Sequence, residues 1–158
     1  MRLRQDPLPL GFRKRDLRET ALCLPGLCAI GVLVSLAAGL TGSPGKPVPA
    51  PDNPLSWAAA VCGSLTTGYL EESYFRVYLP RRILSAGTVT AFAVPVVIFG
   101  LCHAYEGPWG FANALLAGAF LSFVYIKTAS FHGIALSHGL YNILVYLYAA
   151  ASNQRQFF

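Results

Sequence analysis

The sequence predicts an all-α fold, a polytopic bundle of about five transmembrane helices that resides in a lipid bilayer. Of its 158 residues, 54% are hydrophobic and 12% are charged, whereas soluble domains usually carry about 25% charged residues. Five long apolar stretches follow one another, and none shows the alternation of a β-strand. Each can cover a hydrocarbon core of about 30 Å, which takes about 20 helical residues. The predicted spans lie near 20–40, 55–80, 84–104, 110–127 and 130–150.

The two ends of the chain are predicted tails, at 1–19 and 151–158. Half of the twelve Lys and Arg residues precede position 20, which favours a cytoplasmic N-terminus under the positive-inside bias. In that orientation only Lys46 and Arg155 fall on the outer side. The first apolar run has about 20 residues, longer than the roughly 7–15 of a signal-peptide core, so we expect a membrane helix. Because the basic residues concentrate in the tail, the positive net charge does not indicate nucleic-acid binding.

The breaks between the spans are short and polar or rich in Pro and Gly. A Pro-rich linker lies at 41–54, a tight turn at 106–110 and a polar break at 127–130. None divides the chain, so residues 20–150 are predicted to form one transmembrane domain. The cysteines lie in apolar runs without CxxC pairing, and we expect free thiols rather than disulfides or a zinc knuckle. They are Cys23, Cys28, Cys62 and Cys102.

The second span contains a charge cluster, GYLEESYFRVYLPRR at 68–82. An acidic residue at the centre of a membrane helix costs roughly 2.5–3.5 kcal/mol, so two adjacent glutamates require a reason. Glu72 precedes Arg76 by four residues, the favoured order for a helical ion pair. Glu71 is rotated by about 100° from Glu72 and has no cationic partner at that spacing. An ion-pair cluster that locks helices together explains Glu72 and Arg76, whereas a free carboxylate such as Glu71 suits a general base or acid.

The histidines place further polar groups inside the membrane. His103 ends the third span, and His138 shares a face of the fifth span with Asn142. Singly, each histidine is more often a satisfied core residue than a catalytic one. From the helical rise, however, Glu71 lies about 15 Å from the inner surface, His103 about 24 Å, His138 about 12 Å and Asn142 about 18 Å. These depths predict convergence in one buried polar pocket, while His132 points elsewhere.

These residues match the motifs of a known family. Glu71–Arg76 fits E-E-x-x-x-R, Phe99–His103 fits F-x-x-x-H, and His138–Asn142 fits H-x-x-x-N. In this order on successive membrane helices, they resemble the CPBP family of intramembrane proteases. That family includes the CAAX prenyl endopeptidase Rce and bacteriocin-immunity relatives. The similarity covers roughly residues 60–148.

The resemblance implies an endopeptidase of a bacterial plasma membrane. Its substrate would be a membrane protein or a lipid-anchored peptide, cleaved near its C-terminus. Glu71 would activate water with the help of His103, while His138 and Asn142 would stabilise the oxyanion. The family pattern gives supporting roles to Glu72, Arg76 and Phe99.

The cofactor and some family features remain open at the level of the sequence. A metal-independent, glutamate-type mechanism is favoured because tight zinc motifs such as HExxH are absent. If zinc were bound, Glu71, His103 and His138 would be its ligands. Val77 stands where the family commonly has Gly after the motif's Arg, and the chain has fewer spans than larger members.

Two other functions use the same residues. A non-catalytic scaffold or bacteriocin self-immunity protein could share the fold, because fold does not fix function. A small ion or proton carrier could use the same buried carboxylate. Small residues in the fourth span, Ala114, Ala117 and Gly118, could serve packing within the bundle or a dimer face.

Overall fold

The computed structural model describes residues 11–43 and 45–154, which form helices and connecting turns without any β-strand in these ranges. A π-helical segment, Ser73–Tyr78, joins α2 to α3, so the second predicted span is one helical stretch with a local change of pitch. The prediction of an all-α bundle is therefore confirmed. The α-helices are α1 Lys14–Leu40, α2 Pro54–Glu72, α3 Leu79–Ile83, α4 Thr88–Cys102, α5 Pro108–Thr128 and α6 Phe131–Gln154.

The helices begin and end at the local signals that the sequence carries. The side chain of Asn53 accepts a hydrogen bond from the backbone N–H of Ser56 at 2.9 Å and caps the start of α2. Before α5, Gly107 adopts a φ of 90°, which glycine tolerates. Ala129 ends α5 in the left-handed conformation with a φ of 49°. The turns and breaks thus fall where they were predicted.

The outer surface of the bundle is apolar, as a membrane protein requires. α1, α5 and α6 are long and apolar enough to cross a membrane, with mean hydropathies of 2.3, 1.6 and 1.3. α4 is also apolar, but it has only 15 residues. Large side chains face outward, including Leu33 at 65% exposure and Leu36 at 61%. Such an exposed apolar surface needs lipid around it, so the chain is an integral membrane protein.

α1 begins at Lys14, six residues before the predicted span, and its first turn packs on α6. Asp16 is fully buried there. Its carboxylate accepts hydrogen bonds from the hydroxyl of Ser130 at 2.5 Å and from the backbone N–H of Arg13 at 2.8 Å. Because Ser130 directly precedes α6, this contact ties the start of α1 to the start of α6. The end of the predicted tail is thus helix rather than free chain.

The charged residues separate between the two ends of the bundle. Val77 packs with Phe131 and Tyr125 where α5 meets α6, and Asp16 meets Ser130 there, so these segments share one end. We call this end of the bundle the basic end; it carries Arg13, Lys14, Arg15, Arg18, Arg81, Arg82 and Lys127. Arg2, Arg4 and Arg155 of the predicted tails lie outside the described residues.

Replacing Asp16 with alanine should loosen the junction of α1 and α6. Hydrogen bonds to a charged group contribute about 1.5–3 kcal/mol each, so we expect the free energy of unfolding to fall by about 2–3 kcal/mol. Denaturant unfolding in detergent micelles measures this change. The control is Asp52→Ala in the exposed linker, and equal losses in the two variants would contradict the assignment.

Candidate active site

The centre of the bundle is a close crossing of α2 and α6 at two glycines. A Cβ atom added to Gly68 would lie 2.6 Å from the carbonyl oxygen of Ala135 and 2.7 Å from the backbone nitrogen of Gly139. The two backbones are therefore in contact, as at other small-residue crossings of membrane helices. Glu71 follows Gly68 by about one turn, and His138 adjoins Gly139. The crossing consequently sets the distance between the carboxylates and the imidazole.

Glu72 and Arg76 form the ion pair that their spacing predicts. The Oε2 atom of Glu72 lies 3.0 Å from Nε of Arg76, although the N–H does not point at the oxygen. Both side chains are buried, with exposures of 0% and 1%. The guanidinium also donates to the carbonyl oxygen of Gly118 at 3.3 Å and stacks 4.4 Å from the ring centroid of Phe99. Two buried charges thus compensate each other next to an aromatic face.

Glu72 has a second partner that the sequence did not reveal. Its Oε1 atom lies 2.9 Å from Nδ1 of His138, which is 66 residues away in the chain. A carboxylate only accepts, so Nδ1–H of His138 donates this hydrogen bond. The contact fixes the orientation of the ring and directs Nε2 towards Glu71. Glu72 therefore anchors both Arg76 and His138.

Glu71 is the carboxylate of the pair that has no Lys or Arg partner among the described residues. In the described parts of the chain it forms no ion pair with Lys or Arg, and its Oε2 atom is buried without a hydrogen bond. This atom lies 3.7 Å from Nε2 of His138. The distance exceeds that of a direct hydrogen bond. Oε2 of Glu71 is therefore an unused acceptor beside the imidazole of His138.

His103 enters the same region from the end of α4. Because its backbone N–H bonds to Gly100 at this helix end, the carbonyl oxygen of Phe99 is available to the imidazole. Nδ1 of His103 lies 2.8 Å from that oxygen and therefore donates to it, which leaves Nε2 as an acceptor. The ring of Phe99 contacts both histidines, with centroids 4.6 Å from His103 and 6.0 Å from His138.

Asn142 lies at the edge of this arrangement. It is half-buried, one helical turn after His138 on α6. Within residues 11–43 and 45–154, no hydrogen bond or ion pair joins it to Glu71, His103 or His138. His132 contacts a separate set of aromatic rings, as predicted. The residues connected by contacts, here called the carboxylate–histidine cluster, are Glu71, Glu72, Arg76, Phe99, His103 and His138.

A family model for type II CAAX prenyl endopeptidases, described as Rce1-like, matches residues 53–144, more than half of the chain. The chain belongs to the Rce1-like family. The matched region begins at the cap of α2, contains the whole carboxylate–histidine cluster and ends after Asn142. The Rce1-like chain is accordingly a protease of an intramembrane peptidase family, and the resemblance seen in its motifs is confirmed. Neither a curated protein nor a solved structure gives a significant match to the chain.

The alternative of a zinc site concerns Glu71, His103 and His138. Across the described ranges, no three His, Cys, Asp or Glu residues converge in a group that could hold a metal ion. A zinc site needs ligand atoms about 2.0–2.2 Å from one point. Nδ1 of His138 and Nδ1 of His103 already have oxygen partners, so Nε2 is the remaining ligand atom of each ring.

The small residues of the Rce1-like chain also have a role that polar motifs do not reveal. Ala114, Ala117 and Gly118 are buried within the bundle, which favours internal packing for these positions. A Cβ atom on Gly118 would lie 2.9 Å from the ring of Phe99 and 3.2 Å from Nη2 of Arg76. Because Gly118 has no side chain, there is room for the guanidinium of Arg76 and the ring of Phe99. In the sequence, the glycines that recur near the charged motifs are the signal for this close packing.

Replacing Gly68 with alanine should push α2 away from α6. The new Cβ atom would meet backbone atoms, which cannot move aside like a flexible side chain. We expect a loss of about 1–3 kcal/mol in the free energy of unfolding, the usual cost of overpacking. Thermal unfolding in detergent measures this. The matched control is Gly63→Ala on the same helix, where no atom lies within 4 Å; equal stability of the two variants would contradict the crossing.

Proposed function

We propose that this Rce1-like protease hydrolyses a peptide bond near the C-terminus of a membrane-associated protein, with water activated by Glu71. The main support is the position of Glu71, whose Oε2 atom is buried without a hydrogen bond 3.7 Å from Nε2 of His138. A carboxylate that a neighbouring arginine does not occupy can accept a proton. The carboxylate of Glu72, in contrast, already pairs with Arg76 and accepts a hydrogen bond from His138.

In the first step, the water donates one hydrogen bond to Glu71 and one to Nε2 of His103. Its oxygen attacks the carbonyl carbon of the scissile bond while Glu71 takes the proton. A new C–O bond forms, and the carbonyl oxygen becomes an oxyanion. The acceptor state of His103 follows from the hydrogen bond that its Nδ1–H donates to Phe99.

In the second step, donors stabilise the oxyanion until the C–N bond breaks. His138, when it carries both protons, keeps Nδ1–H on Glu72 and offers Nε2–H to the oxyanion. Asn142, one turn further along α6, adds an amide N–H. One such donor contributes about 2.7–4 kcal/mol to catalysis in other hydrolases. The protonated Glu71 then gives its proton to the leaving amine, which yields a carboxylic acid and an amine.

The orientation in the membrane follows from the basic end. Lys and Arg residues concentrate there, which favours a cytoplasmic location for that end under the positive-inside rule. The family resemblance favours a bacterial plasma membrane as the host membrane. The substrate is accordingly a membrane protein or lipid-anchored peptide that reaches the cluster from the bilayer.

A comparison of membrane proteomes tests the activity. Cells that produce the wild-type chain are compared with cells that produce Glu71→Gln at equal abundance, and C-terminal peptides are quantified by mass spectrometry. We expect at least one membrane protein to lose its C-terminal segment only in the wild-type cells. Identical C-termini, together with full biological activity of Glu71→Gln, would favour the scaffold or immunity role.

A further inference from the structure

A ridge with a groove on each side lies on the lipid-facing surface of α5. One groove, between α4 and α5, has a volume of about 450 Å³; the other, between α1 and α5, has a volume of about 250 Å³. Phe123 lines both grooves and is 57% exposed, so its ring forms the ridge between them. The walls of the larger groove are apolar, with residues such as Val89, Phe92 and Val96.

The smaller groove ends in two opposite charges. Its apolar part includes Leu22 and Val124, and at the basic end it is lined by Glu19 and Lys127. The ammonium of Lys127 lies 5.6 Å from the ring centroid of Phe123, directly above the ridge. Within the described ranges, no ion pair up to 4.0 Å involves either charge. Both are therefore available to a ligand that carries the complementary charges.

We propose that this surface binds one phosphatidylethanolamine molecule, a phospholipid with a phosphate and a primary ammonium. Its two acyl chains lie in the two grooves on either side of Phe123. Lys127 binds the phosphate, and Glu19 accepts hydrogen bonds from the ammonium.

The pair of charges selects the headgroup. The quaternary ammonium of phosphatidylcholine has no N–H to donate to Glu19. Phosphatidylglycerol carries no cation for Glu19, which would leave this partly buried carboxylate beside an anionic lipid. None of the groove residues belongs to the carboxylate–histidine cluster, so the site is separate from the proposed catalytic chemistry.

Native mass spectrometry of the delipidated, full-length protein in detergent tests the proposal. Dioleoyl phosphatidylethanolamine, phosphatidylglycerol and phosphatidylcholine are added separately at equal concentrations. We expect one tightly retained phosphatidylethanolamine, with the other two lipids held about fivefold more weakly, as the loss of one charge contact implies. Equal retention of all three lipids would show adventitious lipid only and would overturn the proposal.

Variants identify the two contacts. Lys127→Gln should weaken phosphatidylethanolamine binding about fivefold, whereas Lys14→Gln, at the same end but outside both grooves, should leave it unchanged. Glu19→Gln should remove the preference over phosphatidylcholine. Equal effects of Lys127→Gln and Lys14→Gln, or a preference that survives Glu19→Gln, would overturn the assignment. Thermal unfolding of each variant verifies that it is folded.

Discussion

Replacing Glu71 with glutamine is expected to lower kcat/KM by about 10²- to 10⁴-fold, the contribution of a general base. The amide has the same shape as the carboxylate but cannot take a proton from water. Because Glu71 has no ion pair with Lys or Arg in the described parts of the chain, its charge is not needed for the fold. We therefore expect an unchanged melting temperature. Steady-state cleavage of a purified substrate and thermal unfolding in detergent measure the two quantities.

The control for this experiment is Asp52→Asn, which removes a carboxylate from the exposed linker. It should retain the activity of the wild-type chain. A Glu71→Gln variant with more than a tenth of the wild-type kcat/KM would show that another group activates the water. A variant that lost activity only because it unfolded would reveal itself by its melting temperature.

Replacing Glu72 with glutamine is expected to act on the fold. Arg76 is only 1% exposed, and its counterion would be lost. Removing one partner of a buried ion pair costs about 3–5 kcal/mol, because the other charge remains buried and uncompensated. Nδ1 of His138 would also lose its charged acceptor. Equilibrium unfolding in detergent should show this loss of stability.

A double variant separates the charge from the packing. In Glu72→Gln with Arg76→Met, no uncompensated charge remains, so part of the stability should return. The change from Glu to Gln thus has different expected consequences at the two adjacent positions. At Glu71 it lowers activity, and at Glu72 it lowers stability. Wild-type stability of Glu72→Gln would contradict the ion pair. A double variant no more stable than the single one would show that charge is not the cause.

The sequence predicted those parts of the site that depend on one helix. The spacing of Glu72 and Arg76 needs only the geometry of a helix, and the ion pair is present even though the π-helical segment begins between them. The contact between Glu72 and His138 needs the crossing of α2 and α6. That crossing depends on Gly68 and Gly139, which have no side chain that marks a partner.

The first turn of α1 shows the same limit. Asp16 stands among basic residues and therefore resembles a solvated position of a tail. It is buried because Ser130, 114 residues later, provides a hydroxyl donor. Local composition describes the neighbours in the chain, whereas burial depends on neighbours in space. The long apolar helices α1, α5 and α6 were predictable for the opposite reason, since lipid acts on each apolar stretch separately.

The contact of α1 with α6 has a consequence for the order of assembly. α1 is synthesised before α6, and the partner of Asp16 lies directly before α6 in the chain. α6 also carries His138, so the placement of α6 both buries Asp16 and completes the carboxylate–histidine cluster. The nascent protease therefore lacks a complete cluster until synthesis reaches α6.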